Sequence, residues 1–165
     1  MTDCSAHQVP PSAAGQLEPY GVRVTLQPAS GELQPQEFLV AFLQDLAAAC
    51  LVSGATVIGH LKCLLHAPGH AVACNLASLR EGAKCSVRAS SGAAPDAVPS
   101  PGSGVPSASA ALKPRQEARL DLAVLVYGLP AATIDVLVRA ALSRLLGPQN
   151  VSWSVSAFEA GPAGR

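Results

Sequence analysis

TVIGHLKCLLHAPGHAVACNLASL, residues 56–79, is the stretch whose reading decides the fold. Two apolar runs flank Pro68-Gly69, a turn dipeptide, so residues 56–66 and 70–79 read as the strands of a hairpin. With Pro68 and Gly69 as the two loop residues, Cys63 faces Cys74, and Leu61, Leu65, Val72 and Leu76 share their side. Side chains alternate between faces along a strand, so both cysteines point into an apolar surface. His60, Lys62, His66 and Asn75 point the other way.

Upstream, Val22-Arg23-Val24-Thr25-Leu26-Gln27 alternates apolar with polar and reads as a half-buried strand that Pro28 ends. Pro35 then suits the first position of a helix, and Glu37 sits in its first turn, where the helix dipole favours an anion. Phe38, Leu39, Phe42, Leu43, Leu46, Ala49 and Cys50 recur at helical spacing, and Gly54 supplies the stop. Downstream, Lys84 to Arg88 is a weaker strand. Leu120 to Tyr127 is a stronger one, followed by the turn Gly128-Leu129-Pro130. Ile134, Leu137, Val138, Ala141, Leu142 and Leu145 form a second helical stripe, ended by Gly147-Pro148. Val151, Trp153 and Val155 alternate with serines in a last strand, with Trp153 as a core anchor or an edge-strand interface residue. This order predicts an α+β two-layer sandwich: a mixed or antiparallel sheet of about five strands with two helices on one face, a ferredoxin-like variant.

Composition divides the chain. Residues 1–18 are expected to be a disordered tail, 19–89 the first half of the domain (βαββ) and 90–116 a disordered linker rich in Pro, Gly, Ser and Ala. Residues 117–158 complete the same domain (βαβ), and 159–165 form a second tail. Neither half is large enough to bury a core comfortably by itself.

The 165 residues carry 11 Lys+Arg against 11 Asp+Glu, and 49% of them are hydrophobic. Neutrality argues against a general nucleic-acid binder, which needs a basic excess. Low charge with a high apolar fraction points instead to a protein partner or a second copy of the chain. The N-terminus shows neither a basic n-region nor an apolar h-region, and polar residues interrupt the apolar stretch from Phe38 to Leu65, so no membrane span is expected. Five cysteines without a secretory context favour a reducing compartment, hence the cytoplasm.

Chemistry concentrates on the hairpin. His60, Lys62 and Asn75 form a candidate ligand-binding set, because a Lys-His pair can hold an anion and Gly59 removes a side chain beside it. A solvated sheet face is the plainer reading. His60, His66 and His70, with cysteines nearby, form a candidate site for zinc or another divalent metal. Cys63 and Cys74 read as small buried hydrophobes, with metal ligation and a redox pair as the alternatives. No nucleotide cradle, zincin motif or nucleophile elbow is written in the chain.

The segment Gly54-Ala-Thr-Val-Ile-Gly-His-Leu-Lys-Cys-Leu-Leu65, with Val124-Leu-Val-Tyr-Gly128 later, resembles the accessory C-terminal region of CobW-like GTP-binding metallochaperone proteins. There a helix, a Gly-His-Leu-Lys-type strand and a strand-Tyr-Gly-helix unit occur in similar order. The resemblance covers residues 35–146 apart from the linker. The chain has neither that family's P-loop nor its CxCC motif, so the resemblance implies an accessory domain without GTPase activity, linked to metal or corrinoid handling. The expectation is a non-catalytic accessory or binding domain acting through a partner. The alternatives are a His/Cys metal-binding module and a small enzyme using Lys62 and His60 as acid and base.

Overall fold

Pro68 has its φ fixed by its ring, so the left-handed corner of the expected hairpin falls to Gly69, whose φ is +83°. In this computed structural model, describing residues 17–29, 32–89, 112 and 115–157, the hairpin forms in the expected register, with Cys63 opposite Cys74. Its strands are β2 (Val57–Ala67) and β3 (His70–Leu76). Around it lie β1 (Leu17–Pro28), α1 (Pro35–Val52), β4 (Lys84–Ala89), β5 (Ala118–Tyr127), α2 (Ala131–Leu146) and β6 (Val151–Ala157). The expected tails, apart from Leu17 and Glu18, and most of the expected linker fall outside the described residues.

The fold is α+β, one six-stranded sheet in the order β4-β3-β2-β5-β1-β6 with two helices. Every ladder is antiparallel, so the sheet is not mixed, and it has six strands where about five were expected. The additional strand is β4, whose short alternation carries few large apolar side chains. It forms because β3 offers an edge to pair with.

Pro35 opens α1 and Glu37 lies in its first turn, as its sequence predicts. The helix is long and apolar enough to cross a membrane by length and composition. Here its stripe of Phe38, Leu39, Phe42, Leu43 and Leu46 is buried in the core it forms with the sheet and α2. α2 buries Ile134, Val138, Ala141 and Leu142 and contacts β1. The sheet contributes Val24, Leu26, Leu61, Leu65, Leu120 and Val126 from below. Trp153 on the edge strand β6 is half-buried against that core.

Leu112 departs from the expected linker. It is buried and exchanges two backbone hydrogen bonds with Leu33, at 2.8 and 3.1 Å. One leucine among small residues has no periodicity to read, yet its burial repays local ordering.

Gly59 shows why a glycine interrupts β2. A Cβ built there would lie 2.9 Å from the Leu125 carbonyl oxygen, beside the register shift between Ile58 and His60. Backbone must therefore yield to any side chain. Gly59→Ala should destabilise the protein by about 1–2 kcal/mol through local overpacking, read as a lower denaturation midpoint at unchanged slope.

Candidate functional site

Both helices occupy one side of the sheet, and no described element covers the other side. Strand parity decides what that open face displays. The inward set of β2 is Leu61, Cys63 and Leu65, so Lys62, Leu64 and His66 face outward. By the same alternation β3 presents Ala71, Ala73 and Asn75, β4 presents Lys84, Ser86 and Arg88, and β5 presents Arg119, Asp121 and Ala123. Register aligns these in rows: Ala123–Lys62–Asn75–Lys84, Asp121–Leu64–Ala73–Ser86 and Arg119–His66–Ala71–Arg88.

Small side chains along the middle leave a shallow trough of about 670 Å³. Leu64, Ala71, Ala73 and Ala123 line its floor, with Lys62, Asn75, Lys84, Ser86, Arg88 and Asp121 around them. Asn75 Oδ1 is buried without a hydrogen-bond partner.

The carboxylates at this face are engaged. Asp121 accepts a hydrogen bond from Arg23 Nε at 2.8 Å, with Arg119 Nη2 at 3.3 Å and His66 Nε2 at 4.0 Å. Lys84 Nζ donates to Glu81 at 2.7 Å, which holds that carboxyl below its ordinary pKa. Gln27 donates to Glu117. Lys62 and Arg88, by contrast, form no ion pair with a described residue. The chain is neutral, yet among the described residues its open face carries two cations without an ion-pair partner, Lys62 and Arg88.

Of the expected ligand set, Lys62 and Asn75 are direct register partners across β2 and β3. His60 is exposed at the bulge opposite Leu125 and does not line the trough. The expected metal set does not assemble. His60 and His66 lie six residues apart on one strand, roughly 20 Å at the usual rise. His70 has the opposite parity: it is buried, and its Nε2 has no hydrogen-bond partner. Among the described residues no three His, Cys, Asp or Glu side chains gather to hold an ion.

One further correction concerns a cysteine. Cys74 is not simply a buried thiol, because it forms a disulfide with Cys85. Cys63 and Cys50 are buried thiols, and burial pushes the Cys63 pKa up to about 12 and that of Cys50 to about 11. Sequence reasoning left Arg23, Arg88, Arg119 and Asp121 out of the site. Strand parity marks each as outward-facing, but only the strand order places them on one face.

Elsewhere, Asp135 on α2 accepts hydrogen bonds from Arg139 and from the Tyr20 hydroxyl, each at 2.7 Å. Those bonds hold the Asp135 carboxyl below its ordinary value, while burial and the bond to Asp135 raise the Tyr20 phenol. This ties α2 to β1 on the helix side, away from the trough. Comparisons with protein-family models, curated proteins and solved structures find no match for this chain.

Proposed function

We propose that this protein is a non-catalytic binding domain whose open sheet face docks an extended acidic segment of a partner protein. The observation that carries this reading is a pair of cations, Lys62 and Arg88, that form no ion pair with a described residue and stand at the two ends of a trough floored by three alanines and Leu64. They stand two strands and four register positions apart, which is roughly 16 Å between their backbones at ordinary sheet dimensions. That separation is too wide for one carboxylate or phosphate to bridge. It suits about five residues of extended chain with an acidic side chain near each end. Ala71, Ala73 and Ala123 beside Leu64 leave a low floor along which an extended peptide backbone can lie.

The strand order supports a ferredoxin-like plan, β1-α1-β2-β5-α2-β6, into which β3 and β4 are inserted; those two strands build half of the trough. The resemblance to the accessory region of CobW-like proteins points toward the same role, a domain that works beside a partner. Absence of an aromatic side chain from the lining of the trough favours a protein over a single-stranded nucleic acid, which stacks its bases.

A fluorescent poly-glutamate dodecapeptide tests the proposal against the full chain. Binding should weaken about tenfold or more in the double variant Lys62→Glu/Arg88→Glu, and should fall as salt rises. Equal binding by wild type and double variant overturns the site. Displacement of the peptide by a short single-stranded oligonucleotide, with tighter binding of the latter, overturns the partner class.

A further inference from the structure

Three cysteines from three neighbouring strands stand in one row on the helix side of the sheet. Cys63 of β2 is opposite Cys74 of β3, and Cys74 is opposite Cys85 of β4. Cys74 and Cys85 are joined, with Cα atoms 4.1 Å apart, while Cys63 remains a thiol. Direct partners in an antiparallel ladder have Cα atoms about 4.5–5.5 Å apart, which is disulfide distance.

We propose that this row is a thiol–disulfide exchange site in which Cys63 displaces Cys85 from Cys74. Cys63 Sγ gives its proton to solvent base, and the thiolate electron pair forms a bond to Cys74 Sγ. The Cys74–Cys85 bond breaks, and its electron pair leaves on Cys85 Sγ, which takes up a proton. One disulfide and one thiol are present before and after, so no external oxidant or reductant is consumed. The row orders nucleophile, central sulfur and leaving group across the strands, as exchange through the central sulfur requires. Attack on Cys85 is closed off, because Cys63 and Cys85 are two strands apart. That is about 9–10 Å, beyond the roughly 7 Å limit for a disulfide.

The outcome is chemical as well as structural. The covalent tie moves from β3–β4 to β2–β3, and a thiol appears at half-buried Cys85 on the edge strand. There it is reachable by a small electrophile or a low-molecular-weight disulfide, whereas Cys63 is 4% exposed. Since only the thiolate attacks and burial disfavours it, exchange is slow at neutral pH and accelerates with base.

The test holds the full-length protein with iodoacetamide from neutral to about pH 10, quenches in acid and maps the linkages by peptide mass spectrometry. A Cys63–Cys74 disulfide with alkylated Cys85 should accumulate, its rate rising about tenfold per pH unit. Cys63→Ser should leave Cys85 unmodified, and Cys85→Ser should form Cys63–Cys74 under mild oxidation. Retention of only Cys74–Cys85 throughout overturns the proposal. Alkylation of Cys85 in Cys63→Ser, or linkages to Cys50 that report unfolding instead of exchange along the row, overturns it equally.

Discussion

Phe42→Ala should cost about 3–5 kcal/mol of folding stability, the largest loss expected from a single substitution here. Phe42 is fully buried on α1, and its ring centroid stacks 5.8 Å from that of Phe38. Truncation removes the whole ring from the core beneath both helices and leaves a cavity that the surrounding leucines fill only in part. Domains of this size are stable by about 5–15 kcal/mol, so the loss brings the protein near its unfolding threshold. Chemical denaturation measures it directly. Val136→Ala serves as the control: that side chain is 64% exposed, and the change should stay within about 0.5 kcal/mol. A Phe42→Ala cost below about 1 kcal/mol would show that the stacked pair is not packed as described.

Removal of the Cys74–Cys85 disulfide, by reductant or by Cys85→Ser, should cost about 3 kcal/mol. The bond closes a segment with a sequence separation of 11, and the estimate follows from the chain entropy that this closure withdraws from the unfolded state. The loss should be uneven across the fold. β4 is the sheet's edge and pairs with β3 alone, so its release leaves the core of α1, α2 and the central strands in place. Amide exchange should therefore accelerate first at Lys84–Ala89, with β5 and β1 protected until global unfolding. Uniform loss of protection would show that β4 is integral to the cooperative core.

Much of the fold is legible because each element carries its own local signal. The Pro68-Gly69 turn sets the hairpin register, and that register pairs Cys63 with Cys74 and Lys62 with Asn75 before any tertiary contact is considered. Helix α1 announces itself through Pro35, Glu37 and its leucine-phenylalanine stripe. What the sequence hides is whatever depends on strand order. Cys74 reads as a core thiol because β4 looks weak, and only the pairing of β4 with β3 brings Cys85 opposite it. The histidines, by contrast, are separated by the hairpin register itself, which puts His70 with Val72 on the face opposite His66. Leu112, isolated in a stretch without period, gives no hint that it docks on Leu33.

Charge draws the line between the two sources of information most sharply. Eleven cations and eleven anions make a neutral chain, a count that reads against a general nucleic-acid binder. Which face each charge occupies is a different quantity, because alternation assigns a side but not a neighbour. The order β4-β3-β2-β5-β1-β6 carries Lys62, Lys84, Arg88, Arg119 and Arg23 onto one open surface, with Asp121, Glu81 and Glu117 as its carboxylates among the described residues. Asp45 and Asp135, which pair with Arg144 and Arg139, stay with the helices. Composition and local pattern thus determine the elements, their buried sides and the hairpin register. The tertiary structure decides that, among the described residues, a neutral chain gathers more cations than anions on one face, because fields add by position in space and not by count along the chain.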